Sequence, residues 1–341
     1  MKINLFPPQA IYELGCRNNQ EDCIFPAFGE ATQEDRLFVL CDGMGGHERG
    51  EVASGAVCQG LSEYFCHHVK SDEILTDQQL QAALEHAYHL LDEKDNGEFR
   101  KAGTTMTLLY FHRGGCTAAH IGDSRIYHFR PSSQTILYKS RDHSLVFELY
   151  QAGEITYQEM KTHPRKNQVN KAMISGEENR QRMDVVHITD ILPDDYFLIC
   201  SDGILENIDD EELMQWLVAN DSDEEKREKL VEMTNGNADN HSAYLVHIGQ
   251  VLMEDGDNTL LNDEQKVRFN AIHIHPVLQA DKDIRIVTEE SNEQEATQYQ
   301  PISKQQTDSL PKRRPVMWLA WIICALIAII IVLIILILHQ A

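Results

Sequence analysis

Several carboxylates in this chain sit where a strand-like run ends and glycine begins. Asp42 follows the apolar run Phe38–Cys41 and precedes Gly43-Met44-Gly45-Gly46. Asp202 follows Phe197–Cys200 and precedes Gly203, while Asp239, with Asn240, stands just ahead of Ala243–Ile248. Glu21-Asp22 lies ahead of an early strand-like segment. Glycine at such places lets backbone approach closely and frees carbonyl groups for bonding. Hard divalent cations such as Mg²⁺ and Mn²⁺ take carboxylate, carbonyl and water oxygens. Two of them ~3.5–4 Å apart need a shared carboxylate and can deprotonate a bridging water. A single Asp-Gly is ordinary turn chemistry, so spacing alone leaves both the turn and the ligand reading open.

The elements that must position these residues are legible as periodicity. Residues 36–41 form a short apolar run bounded by charge and glycine, which predicts a buried strand. Apolar residues recur at helical spacing from Val52 through Val57, Leu61 and Phe65 to Val69, and again from Leu80 to Leu91. A strand-rich block follows: Thr104–Phe111, Cys116–Ile121, Arg125–Arg130 and Thr135–Tyr138. Residues 145–185 are mixed and polar and read as a flap or insertion. Asp195–Cys200 predicts another strand, Asp209–Val218 a helix opened by carboxylates, 222–233 a charged helix and Ala243–Ile248 a closing strand. Strands interspersed with helix pairs, without regular βαβ alternation, predict an antiparallel sheet system with helices packed outside.

The chain has 341 residues with a formal net charge of −24. So acidic a balance argues against a nucleic-acid surface, which needs a basic patch to displace counterions. None of the eight cysteines forms a C-x-x-C pair or a zinc-spaced group with histidine, which points to reduced thiols in a cytosolic compartment. The N-terminus lacks an apolar run of signal-peptide length. At the other end, residues 317–338 are uninterrupted apolar sequence, ~33 Å as a helix against a bilayer core of ~30 Å. Trp318 and Trp321 suit the interface, and Lys312, Arg313 and Arg314 precede the span. The expectation is a single-pass membrane helix with the larger N-terminal part in the cytoplasm. The division is then a domain over 1–250, a polar and flexible linker over 251–316, the transmembrane helix 317–338 and a short tail, 339–341.

Seven stretches occur in order: Arg17-x-x-x-Glu21-Asp22, Cys41-Asp42-Gly43-Met44-Gly45-Gly46-His47, Ala102-Gly103-Thr104-Thr105, Ile121-Gly122-Asp123-Ser124-Arg125, Arg141-Asp142-His143-Ser144, Cys200-Ser201-Asp202-Gly203 and Ala238-Asp239-Asn240. Together, over about residues 8–250, the chain resembles the metal-dependent protein phosphatases (the PP2C-like serine/threonine phosphatases) in their bacterial form. The resemblance implies an α+β fold, a four-layer α-β-β-α sandwich of two mainly antiparallel sheets flanked by helices. It makes Asp42 the carboxylate bridging two Mn²⁺ or Mg²⁺ ions, with Gly43 offering its carbonyl. Asp202 and Asp239 complete the direct shell, Glu21 and Asp22 bind directly or through water, and Asp123 helps form a third, weaker site. Arg17 would grip the substrate phosphate through its bidentate fork. The implied reaction is hydrolysis of phosphoserine and phosphothreonine proteins by a water held between the ions. A membrane-associated serine/threonine kinase is the implied partner.

Some positions depart from the family pattern. Met44 stands where the animal branch keeps a histidine proposed as leaving-group acid, which leaves His47 and His143 as neighbouring candidates. Glu206 replaces another acidic residue of that branch. Asp257-Asn258 also resembles the closing Asp-Asn motif, but only Asp239-Asn240 leads into a full strand. His273 and His275 alternate as on one strand face and read as solvated residues of the tether rather than a metal pair. The residue six past Cys200 is Glu206, so the Cys-x5-Arg loop of thiol phosphatases is missing. Two other classes remain at this stage: a non-catalytic membrane-tethered scaffold on the same fold, and a phosphoesterase for small phosphate esters.

Overall fold

A strand that is apolar at every position needs cover on both faces. In the computed structural model, which describes residues 1–45, 49–94, 103–177 and 179–252, β1 (Lys2–Leu5), β2 (Gln9–Glu13), β3 (Asp22–Phe25) and β4 (Leu37–Met44) open the fold. Helices α1 (Arg49–His68) and α2 (Asp77–Glu93) follow. Then come β5 (Gly103–Thr104), β6 (Met106–His112), β7 (Gly115–Ile121), β8 (Arg125–Arg130) and β9 (Thr135–Lys139). The 145–185 region holds α3 (Leu145–Gln151), α4 (Tyr157–Thr162) and β10 (Met173–Ile174), and β11 (Asp184–Ile188) begins at its end. The chain closes with β12 (Tyr196–Cys200), α5 (Asp210–Val218), α6 (Asp223–Met233) and β13 (His241–Leu252).

The strands pair antiparallel into a sheet ordered β1-β13-β12-β8-β9, with β2 also on β13, and a second ordered β10-β5-β4-β6-β7-β11, with β3 on β4. Alternation along β4 sends Phe38 and Leu40 between the sheets and Leu37, Val39 and Cys41 toward α1 and α2. On β12 the same alternation sends Phe197 and Ile199 inward and Leu198 and Cys200 toward α5 and α6. Three cores therefore separate four layers. In the middle one, Phe38 meets Tyr244 edge-on at 5.2 Å and Phe111 meets Phe197 at 5.4 Å, the geometry aromatic pairs prefer. Outside, α1 and α2 approach closely at Gly60, where an added Cβ would stand 2.6 Å from the Ala87 Cα. Helices α2, α4, α5 and α6 each start with a capping box, so the polar residues that open them answer their free N–H groups.

The expected helices and central strands stand where periodicity put them, within a few residues. Periodicity does not predict β1, β2 or the short β10, and β11 begins at the end of the polar 145–185 stretch. The described β13 runs two residues past the expected domain limit at 250. The chain also divides at Glu289/Glu290, and the unit beyond lies outside the described residues, as do 317–338. Among the described residues no helix is long and apolar enough to cross a membrane.

Candidate metal centre

Strand pairing brings the carboxylates together. Asp22 of β3 lies directly opposite Asp42 of β4, and Cys200 of β12 pairs with Ala243 of β13, so Asp202 and Asp239 leave neighbouring strand ends. The Asp42 peptide is pinned on both sides. Its N–H donates to Thr105 Oγ1 at 3.0 Å, and its carbonyl accepts from Thr105 N–H at 2.8 Å and Thr104 Oγ1 at 2.9 Å. Thr105 Oγ1 shares a 2.7 Å hydrogen bond with Ser124 Oγ, next to Asp123. Ser201 Oγ donates to Asp22 Oδ2 at 2.9 Å and accepts from Ser242 N–H at 3.0 Å. That hydroxyl joins the two sheets at the acidic end of the sandwich.

Burial acts on these acids first, and their mutual repulsion adds to it. Asp22 is pushed up to about 7 and Asp202 to about 6, each by burial and then by neighbouring aspartates. Burial followed by Asp202 raises Asp123 to about 8. Asp42 rises well above the carboxylate range through burial and the charges of Asp22, Asp202, Asp123 and Asp239. Asp22 Oδ1 and Asp202 Oδ1 are buried with no hydrogen-bond partner. Buried polar oxygens are normally satisfied, and buried like charges demand a counterion. The residues present therefore fit a divalent cation by donor type, number and unmet demand.

Arg17 reaches the same centre, its Nη2 2.7 Å from Asp239 Oδ2 with about half of its side chain exposed. Gly43 donates its N–H to the Glu21 carbonyl at 3.1 Å, and Ser54 Oγ donates to that carbonyl at 2.6 Å. A Cβ on Gly43 would lie 2.1 Å from the Gly50 carbonyl oxygen, so only glycine fits between β4 and α1. The Glu21 side chain runs beside Gly50, where a Cβ would meet its carboxyl carbon at 2.8 Å. Glu206 Oε2 accepts from Ala238 N–H at 2.7 Å, and Asn237 Nδ2 donates to the Gly203 carbonyl at 2.7 Å. These bonds hold the Asp239 loop against the Asp202 turn. Glu206 thus supports a neighbouring loop, a role its distance from Asp202 in sequence did not reveal.

His143 is spent elsewhere. Gly122 N–H donates to its Nδ1 at 3.1 Å, so the ring proton sits on Nε2 and is donated to Asp184 Oδ2 at 3.1 Å. His120, stacked on it at 4.7 Å and 5°, uses Nε2–H on the Arg141 carbonyl at 2.8 Å. The facing atoms of His120, His143 and Asp184 lie within 4.8 Å of one another, yet they do not suit a metal. Parallel rings cannot aim in-plane lone pairs at one ion, and His143 Nε2 has none to offer. The trio instead braces the Arg141–His143 segment. Cys200 is buried and pushed up to about 12 by that burial, which keeps its thiol inert. His47, Asp257, His273 and His275 lie outside the described residues.

A groove of about 400 Å³ opens from Arg17, Asp123, Asp202 and Asp239 and runs between the flap helix α4 and the start of α5. Tyr157 and Lys161 form one wall, and Asp209 and Glu212 the other. Lys161 Nζ lies 3.4 Å from Asp209 Oδ2 across it. Beneath, Arg125 grips Asp142 with two bonds of 2.7 and 2.6 Å.

A pinned acidic centre with an arginine at its rim and a groove leading away is the equipment of a phosphoric monoester hydrolase. Residues 18–235 match the family model described as protein phosphatase 2C, and the chain belongs to that family. A protein phosphatase 2C-type protein of Streptococcus pyogenes is 31% identical over 62% of this chain and 85% of its own length. Protein phosphatase PhpP of Streptococcus pneumoniae is 29% identical over 69% of this chain and 94% of its own. The serine/threonine phosphatase PstP/Ppp of Mycobacterium tuberculosis superposes with a TM-score of 0.60 at 27% identity, covering 72% of this chain and all of the other. The catalytic domain of PstP, solved in complex with two manganese ions, gives 0.56 at 26% identity, covering 73% of this chain and 100% of that one. The chain is accordingly an enzyme, a protein serine/threonine phosphatase.

Proposed function

We propose that this phosphatase is metal-dependent, with Mn²⁺ or Mg²⁺ held by the acidic centre. Asp42 would bridge two ions, with the Gly43 carbonyl, Asp202 and Asp239 as direct ligands, Asp22 and Glu21 binding directly or through water, and Asp123 serving a weaker third site. The observation that carries this reading is the set of buried, mutually repelling aspartates with two unpartnered oxygens. Ions bound there supply an acidified water as nucleophile and positive charge toward the phosphoryl oxygens. The chain's own part is to fix the ligands through Thr104, Thr105 and Ser201 and to present Arg17. Its guanidinium, now on Asp239, would pair with two phosphoryl oxygens of a phosphoserine or phosphothreonine. The groove between α4 and α5 receives the polypeptide beside that residue, which favours proteins over small phosphate esters as substrates.

The test is hydrolysis of a phosphothreonine peptide by the full chain with Mn²⁺ or with excess chelator, beside p-nitrophenyl phosphate. Loss of turnover in chelator, restored by Mn²⁺, is the expected result, with the higher kcat/KM on the peptide. Undiminished turnover in chelator overturns metal dependence, and preference for the small ester overturns the protein-substrate reading. Residues 317–338 would anchor the enzyme in a membrane with its catalytic domain in the cytoplasm. The apolar length and the preceding Lys312, Arg313 and Arg314 support this. A serine/threonine kinase on the same membrane face is the natural source of its substrates.

A further inference from the structure

The loop that carries Arg17 is tied at its base by two amide side chains. Gln20 Nε2 donates to the Glu13 carbonyl at 3.0 Å and Gln20 Oε1 accepts from Asp22 N–H at 3.2 Å, while the buried Asn240 ties it from the far end of the domain. Asn240 Oδ1 accepts from Glu21 N–H at 2.8 Å, and Asn240 Nδ2 donates to the Leu14 carbonyl at 2.8 Å. Leu14 and Glu21 flank the Gly15–Gln20 segment, so both amide functions of one residue close that loop. The side chain is buried, and both of its polar atoms are used. Its backbone is wedged as well: a Cβ on Gly203 would lie 2.0 Å from the Asn240 carbonyl oxygen, and one on Gly15 (φ +61°) would lie 2.1 Å from the Asp239 carbonyl oxygen. Asn240 N–H also donates to Asp239 Oδ1 at 2.8 Å, fixing the carboxylate that Arg17 meets. Arg17 itself is half exposed, so its aim depends on where its loop is held.

We propose that Asn240 is a positioning residue for Arg17, closing the 15–20 loop so that the guanidinium is preset for a phosphoryl group. The inference rests on the reading of Arg17 as the phosphate clamp. An arginine on a fastened loop binds phosphate without first paying for the ordering of that loop. Releasing the loop therefore weakens phosphate binding, while Asp42 keeps its supports in Thr104 and Thr105 and Asp22 its support in Ser201.

The test is a double-mutant cycle in the full-length enzyme with saturating Mn²⁺. It measures kcat and KM on a phosphothreonine peptide and the inhibition constant of inorganic phosphate. Asn240→Ala should raise KM and the phosphate inhibition constant about tenfold with kcat within about threefold. In an Arg17→Ala background the same substitution should move both by less than about twofold. Equal effects in both backgrounds, or a fall in kcat with KM unmoved, overturn the proposal. If Arg17→Ala alone leaves KM and the phosphate constant unchanged, the clamp reading itself fails, and that result is distinct from an additive Asn240 effect. Should Asn240→Ala melt below the assay temperature, Asn240→Asp keeps the size and the acceptor for Glu21 N–H but loses the donor. It should show a smaller rise with the same dependence on Arg17. Asn240→Asp behaving like the wild type overturns the proposal.

Discussion

Asp42 is surrounded by acids that raise one another, and this sets the behaviour of the centre at the scale of single residues. Asp22, Asp123 and Asp202 have folded-state values of about 7, 8 and 6, above those of an unfolded chain. The folded, metal-free protein then holds more protons than the unfolded one between about pH 4 and 8. Its stability from these groups is full below the unfolded values and falls as pH rises through the folded ones. Divalent ions remove that penalty. The increase in Tm on adding Mn²⁺ should therefore grow from pH 5 to pH 8, and calorimetry at each pH checks it. A flat or shrinking increment would contradict the assignment. The buried histidines, such as His112 with its value lowered to about 3 by burial, act in the opposite direction but cancel in the difference. Asp202→Asn removes one of the crowded charges. At pH 8 without metal it should stabilise the fold by on the order of 1–3 kcal/mol while abolishing turnover, as denaturant melts and peptide assays would show. Asp42, Asp202 and Asp239 were legible from their places between apolar runs and glycine or a strand. The pairing of Arg17 with Asp239 was not, since it spans the whole domain and exists only when β2 and β13 have joined.

Among the elements, every strand that ends at the centre is also a strand of the buried layers. β4 and β12 each present one face to the inter-sheet core and the other to a helix pair. The aspartates are therefore held by the stiffest part of the molecule, which suits a site that needs fixed ligand geometry. Phe197 is central to that core and meets Phe111 edge-on. Phe197→Ala should cost about 3–5 kcal/mol, read as a lower urea midpoint with an unchanged slope. A loss under about 1 kcal/mol would show that the middle layer does not carry the fold. Uninterrupted apolar runs made β4 and β12 readable, and 3.6-residue periodicity did the same for α1 and α2. β1 and β2 are short, polar in part and separated by Pro7-Pro8, so their strand character comes from the long β13 that they join. β11 is half-buried through most of its length, which blurs the alternation that marks a strand. The mixed composition of 145–185 marks a flap or insertion, and the place of α4 along the groove follows from the Lys161–Asp209 contact at the start of α5.

At the scale of the whole chain, a net charge of −24 repels polyanions and draws divalent cations toward the surface. Under the proposed tether, removing residues 317–341 should leave kcat and KM on a soluble peptide within about twofold while moving the protein from the membrane pellet to the supernatant. A full-length chain that fractionates as soluble would contradict the tether. The proposed tether leaves the chemistry to the N-terminal residues, where Asp42 is proposed to join two divalent ions in one hydrolytic centre. The most direct test of that bridge is Mn²⁺ titration by calorimetry, with turnover measured on the same samples, for the full chain and for Asp42→Asn. Two tight Mn²⁺ ions per chain are expected in the wild type. In Asp42→Asn at least one of them should be lost and kcat should fall by at least about a thousandfold, with the fold intact by circular dichroism. Wild-type stoichiometry and near-normal turnover in Asp42→Asn would contradict the bridge.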